Sequence, residues 1–153
     1  MLKGIDPRIT PDLLEVLASM GHGDEVVIVD VNFPARSVAG DKPLIELAGV
    51  SGPQAVDLIL QLLPLDTFVD DPVLRMEYVG DPERWEPIQL EAQAALEARA
   101  GRAFRFKGVE RHAFYERAKQ AFAVVRAGER RFYGCFILKK GVIGPDDRGY
   151  HEA

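Results

Sequence analysis

Six side chains in this sequence have the chemistry to hold a small polar molecule or move its protons: His22, Asp30, Arg111, His112, Tyr115 and Tyr133. An imidazole titrates near neutral pH and can both give and take a proton. Carboxylate, guanidinium and phenol groups fix hydroxyls in set directions through hydrogen bonds. Such a set suits general acid–base chemistry on a neutral polar substrate. The signs of other chemistries are missing. Gly21-His22-Gly23 is not followed by the Gly-Lys-Ser/Thr of a phosphate-binding loop. No Gly-x-Gly-x-x-Gly follows an expected strand, and no Gly-x-Ser-x-Gly elbow occurs. Cys135, the single cysteine, has no flanking pattern of a nucleophile, and no nucleophile–base pair can be assigned. His22, His112 and His151 are scattered without the spacing of metal ligands, so no catalytic metal is expected.

The elements that must position these groups start with the stretch MGHGDEVVIVDVNFP, residues 20–34. Val26-Val27-Ile28-Val29 is a continuous apolar run, which reads as a strand buried on both faces over Glu25–Asp30. Asp30 then closes the strand, at the end where open α/β sheets place their ligands. His22 falls in the turn before it. Read alone, Gly-His-Gly is equally compatible with a plain helix stop and turn. A helix precedes it: Thr10 is a capping residue, Pro11 suits the first turn, and Leu13, Leu14, Leu17 and Met20 keep the helical period. Gly21 suits the position after the helix end.

Further along, VNFPARSVAGDKP reads as a loop, placed where specificity residues could sit. Ser51-Gly52-Pro53 opens a second helix that Pro64 ends. PVLRMEYV, from Pro72 to Val79, alternates like a strand. A third helix, running to about Ala100, has a thin apolar stripe and is expected at the periphery. Trp85, before it, is expected to pack, although an aromatic beside a pocket can also stack on a sugar. RAFRFKGVE, from Arg102 to Glu110, reads as a strand. Phe114, Ala118, Ala121, Phe122 and Val125 repeat at the helical period, giving a fourth helix that Gly128 stops. FYGCFIL, from Phe132 to Leu138, is a last strand, and the tail after Gly141 is polar. Helices alternating with strands predict a single three-layer α/β/α domain with a largely parallel sheet, spanning residues 1–142 and followed by a C-terminal tail at 143–153.

The totals agree with one such domain. The 153 residues are 47% hydrophobic and 28% charged. The net charge of -5, with both signs mixed along the chain, speaks against nucleic acid or an anionic membrane as the main partner. No apolar run approaches the ~20 residues of a spanning helix. The N-terminal stretch lacks the apolar core of a signal peptide, and a lone cysteine cannot form an internal disulfide, so a cytoplasmic location is expected.

Two blocks together carry a resemblance. LLEVLASMGHGDEVVIVDVNFPA, followed late in the chain by ERHAFYERAKQAFAVVRAGERRFYGCFILKKGV, is similar to the RbsD/FucU family, the fucose mutarotases and ribose pyranases, and closer to the fucose branch. The resemblance implies a cofactor-free isomerase that interconverts the α and β anomers of a free monosaccharide, most simply L-fucose. D-ribose pyranase activity, or a non-catalytic sugar-binding or regulatory subunit, are the alternatives on the same scaffold. It also implies a ring-shaped homodecamer with sites at subunit contacts. By motif, His22 matches the catalytic histidine, Asp30 the sugar-binding aspartate and Arg111 the substrate-binding arginine, where ribose pyranases carry histidine. Tyr133 matches the binding tyrosine of a Tyr-Gly-Asn motif that here reads Tyr133-Gly134-Cys135, so the asparagine amide is replaced by a thiol.

Overall fold

The computed structural model describes residues 1–147. The polar residues 148–153, including His151 and most of the expected tail, lie outside them. Five helices and six strands follow one another as α1 (Pro11–Ser19), β1 (Glu25–Val29), α2 (Ala35–Ala39), β2 (Leu44–Leu47), α3 (Gly52–Leu60), β3 (Val73–Met76), α4 (Pro87–Ala100), β4 (Lys107–Val109), α5 (Arg111–Lys119), β5 (Ala123–Ala127) and β6 (Phe136–Lys139). The strands form one sheet in the order β2-β5-β1-β6-β3-β4. β2, β5 and β1 are parallel, β6 pairs antiparallel with both β1 and β3, and β4 is parallel to β3. Five strands therefore share a direction and β6 alone opposes them.

The apolar run of β1 is central. Val26, Val27, Ile28 and Val29 have no exposed surface, and full burial of such a side chain contributes roughly 1.5–3 kcal/mol each. Alternation sends Val26 and Ile28 into one core with residues of α1, α3 and α4, while Val27 and Val29 enter a second core with α2 and α5. The three layers are thus present.

The chain departs from the sequence expectations in several places. The expected fourth helix ends at Lys119, and Ala123–Ala127 is a strand between β2 and β1. Val125 continues the helical period of Phe114, Ala118, Ala121 and Phe122 by coincidence, because a strand covered on both faces need not alternate. The expected loop after Asp30 contains the short helix α2 and the edge strand β2. The strand expected from Pro72 to Val79 is only β3, buried throughout, with even Arg75 enclosed. The strands expected over Arg102–Glu110 and Phe132–Leu138 shrink to β4 and β6. α4 is not peripheral: Ile88, Ala92 and Leu96 are buried, and its glutamines face backbone. Gln89 donates to Met76 O at 2.7 Å, and Gln93 bridges Phe104 O and Phe106 N at 3.0 Å each. Trp85 packs against the first core and has the guanidinium groups of Arg75 and Arg105 4.3 and 4.6 Å from its ring centre, as expected of a packing residue.

Candidate active site

The ends of β1 carry two different constellations. At its C-terminal end, Asp30 is 5% exposed. One carboxylate oxygen accepts from the Asn32 and Phe33 amides at 2.9 and 3.0 Å, closing the turn that leads to α2. The other oxygen faces Cys135, whose Sγ donates at 3.5 Å. Burial raises the Asp30 pKa, opposed by the Asn32 amide, the Cys135 thiol and the Phe33 and Gly134 amides. Burial also pushes the Cys135 thiol well up, aided by the neighbouring carboxylate, so it remains protonated and a donor.

Arg111 reaches the same place from the first turn of α5. Glu110 caps that helix, accepting from His112 and Ala113 N at 2.9 and 3.0 Å. Arg111 Nε donates to Tyr115 Oη at 3.1 Å, which raises the guanidinium pKa and keeps the charge fixed. Tyr115 in turn packs on Phe33, centroids 5.2 Å apart. The His112 ring instead stands beside Tyr115 and borders another hollow with Pro34 and Lys119.

Tyr133 completes this end from the turn before β6. Its φ of +64° is unusual for a bulky residue. Several contacts hold it there. The Val79 amide donates to Tyr133 Oη at 3.3 Å, Tyr78 stacks at 4.9 Å, and Gln89 donates to Tyr133 O at 3.2 Å. Glu129, 4% exposed, ties the turn to α3 through Gly52 N at 3.1 Å and to Arg131. A Cβ at Gly134 would come within 2.9 Å of Ile88 Cδ1 and 3.1 Å of Glu129 Cγ, so a larger residue there would make those side chains shift. Together these residues border a cleft of about 280 Å³, with Asp30, Arg111, Tyr133 and Cys135 along its polar parts. The sequence reading missed Asn32, Phe33, Met76 and Phe132 on the same cleft. Only the shared C-terminal edge of β1 and β3 brings Met76 there.

His22 is elsewhere. It rides a tight turn before β1, closed by Gly21 N to Asp24 Oδ2 at 2.7 Å and by Gly23 at φ +86°. Gly21 follows the helix end as expected, but Gly23 takes the left-handed conformation. Lys140, just past β6, holds this turn by donating to Leu17 O and Met20 O at the end of α1. The His22 side chain is 45% exposed, with Nε2 3.2 Å from Asp66 Oδ1 and its ring 5.4 Å from that of Phe68. The five residues of β1 separate His22 from Asp30, about 16 Å along the strand. Asp30, Arg111, Tyr133, Gly134 and Cys135 are therefore brought together and His22 is not. Among the described residues, no three His, Cys, Asp or Glu side chains gather as a metal site requires.

Comparison with known proteins is consistent across sequence and structure. The model of the RbsD / FucU transport protein family matches residues 3–143. The fucose mutarotase of Bos taurus is 48% identical over 96% of this chain and 97% of its own length. A crystal structure of the fucose mutarotase from Streptococcus pneumoniae in complex with L-fucose superposes with a TM-score of 0.85 at 40% identity, covering 94% of this chain and 100% of that one. Bacillus subtilis RbsD complexed with D-ribose shares the fold, with a TM-score of 0.71 at 21% identity over 94% of this chain and 100% of that one.

Proposed function

Since this chain belongs to the RbsD/FucU family, we propose that it is a mutarotase, an isomerase exchanging the α and β anomers of free L-fucose. Full-length fucose mutarotase relatives and the L-fucose-bound neighbour support that substrate. The reaction removes a proton from the anomeric hydroxyl and delivers one to the ring oxygen. The ring opens, the C1–C2 bond turns, and the ring closes on the other face. His22 is the group that moves these protons. Asp30, Arg111 and Tyr133 orient hydroxyls, and the Cys135 thiol and the Gly134 backbone line the same surface. General acid–base help of ~10²–10⁴-fold matches a reaction that already proceeds in water.

The observation that carries this reading is the placing of the two half-sites at opposite ends of β1. One copy cannot bring His22 to a sugar held at Asp30, so a second copy must. Both ends offer the apolar surface such a contact needs. Phe68 and Val69 are 72% and 40% exposed near His22, and Phe132, Val79 and Val31 are 70%, 57% and 45% exposed near Asp30. Such a contact, which is unlike-to-unlike, closes into a ring when the rotation allows. The family resemblance makes that ring a decamer. None of the described helices is long and apolar enough to cross a membrane, and the lone buried Cys135 fits a cytoplasmic protein.

Saturation-transfer NMR on the anomeric protons of L-fucose tests the function, with D-ribose as the comparison. Faster α–β exchange of fucose in the presence of protein is the expected result. Acceleration of ribose alone would move the protein to pyranase chemistry. Sugar binding without acceleration would make it a non-catalytic subunit.

A further inference from the structure

Gln89 lies in none of the motif blocks and has no exposed surface, yet its amide is fully engaged. Its Nε2 donates to Met76 O at 2.7 Å and to Tyr133 O at 3.2 Å. Its Oε1 accepts from Glu86 N at 3.2 Å and from Arg75 Nη1 at 3.4 Å. Two donors against the oxygen and two carbonyls against the nitrogen allow only this orientation, because a flipped amide would set donor against donor and acceptor against acceptor. Arg75, 3% exposed, is itself held. Its Nη2 donates to Pro82 O at 2.9 Å and its Nη1 also to Arg84 O at 3.3 Å. The buried guanidinium therefore ties both Gln89 and the loop between β3 and α4 to β3.

The two carbonyls that Gln89 serves mark where the pairing of β3 with β6 stops. Met76 N still donates to Cys135 O at 3.1 Å. One step further the chain turns away through Gly134 and Tyr133, and Met76 O and Tyr133 O are left sharing one donor group. Both of these residues border the cleft. A φ of +64° at a tyrosine persists only where the surroundings over-determine it. The loop held by Arg75 also brings Val79 N to Tyr133 Oη at 3.3 Å, and its Tyr78, covered by Arg84 at 3.9 Å, stacks on the phenol ring. A phenol oxygen that accepts from an amide keeps its own proton for another acceptor.

We propose that Gln89 is the positioning residue of Tyr133, holding the left-handed turn from behind so that the phenol meets the sugar as a hydrogen-bond donor. This rests on Tyr133 as a sugar-binding group of the proposed mutarotase. Gln89 does not touch the sugar, and Arg75 acts one step further back, by orienting the Gln89 amide.

A cycle of Gln89→Met, Tyr133→Phe and the double variant tests the proposal, read as the Kd of L-fucose by calorimetry and as KM and kcat of its anomer exchange. Gln89→Met keeps the length of the side chain and loses the amide. Each single change should raise Kd and KM about tenfold, the scale of one hydrogen bond, with kcat within about threefold of wild type. The double variant should be no more than about twofold worse than Tyr133→Phe, since without the phenol the amide has nothing left to place. Wild-type affinity in Gln89→Met would overturn the proposal. Effects that multiply to about a hundredfold would overturn it too, by giving Gln89 a role apart from Tyr133. Gln89→Glu is the second variant. It keeps the acceptor for Arg75 and Glu86 N and loses both donors, so it should reproduce the expected rise in Kd if Gln89→Met does not fold. Failure of both variants to fold, seen by circular dichroism, would make Gln89 a core residue and overturn the proposal as well. Failure of the mutarotase reading shows separately, as the absence of accelerated exchange in the wild type, and fucose binding without exchange leaves the Kd cycle intact.

Discussion

The two ends of β1 are built by opposite means. The Asp30 end is a cleft assembled from the turns after β1 and before β6, the start of α5 and the end of β3, with nearly every polar group braced by another. The His22 end is one half-exposed ring on a four-residue turn, steadied by one buried carboxylate. Under the proposed function, a single copy carries a preformed surface for a sugar's hydroxyls, and separately a proton-transfer group with little pocket of its own. Binding needs many fixed directions, so it takes several elements. Proton transfer needs one atom at the right place, so it can be delivered by a neighbour.

The contrast is broken most severely at the histidine. His22→Ala should lower catalysed exchange by ~10²-fold or more, with unchanged circular dichroism because the side chain is outside both cores. Wild-type exchange in this variant would remove His22 from the mechanism. Arg111→Ala should act at the other end. A rise in KM of about tenfold, the scale of a lost hydrogen bond to a charged group, should exceed any fall in kcat, as steady-state NMR rates over a range of fucose concentrations would reveal.

Mixing sharpens the comparison further. If a second copy completes the site as proposed, oligomers made by co-expressing His22→Ala with Asp30→Asn should regain about a quarter of wild-type activity, the share of contacts joining an intact half from each copy under random assembly. Activity no higher than the two variants assayed apart would mean that each copy works by itself. The mildest change is expected at Cys135, whose thiol makes a single hydrogen bond, to one oxygen of Asp30. Cys135→Asn restores the amide of the related motif. It should bind fucose no more weakly than wild type by calorimetry, and a loss of binding would show that the cleft is shaped to the thiol.

Each end was legible in the sequence where its signals were local, His22 through the helix end and turn before β1 and Asp30 through the strand it closes. β1, Asp30 and the cap before Arg111 are local signals, carried by an apolar run and by Glu110 followed by α5. Tyr133 and Cys135 were reached through motif order, while Met76 and Phe132 depend on which strands lie side by side. Asp66 had no local signal, because its partner is brought by β6 across the sheet. The misreading of β5 has the same origin. Ala123-Val124-Val125-Arg126-Ala127 follows α5 after three intervening residues, includes the helix formers Ala and Arg, and is covered on both faces, so no period in the sequence separated strand from helix.

β6 places a limit on how the chain can vary in length. It starts beside Cys135 at one half-site and ends at Lys139 and Lys140, which brace the turns of His22 and Asp66 at the other. A surface loop such as 101–104 can double in length for about 0.6 kcal/mol. One residue inserted into β6 would move one of its ends by about 3.3 Å and turn every following side chain to the opposite face. The strand is in effect a ruler between the Asp30 cleft and the His22 turn, and insertions or deletions that other segments absorb would there throw both out of alignment together.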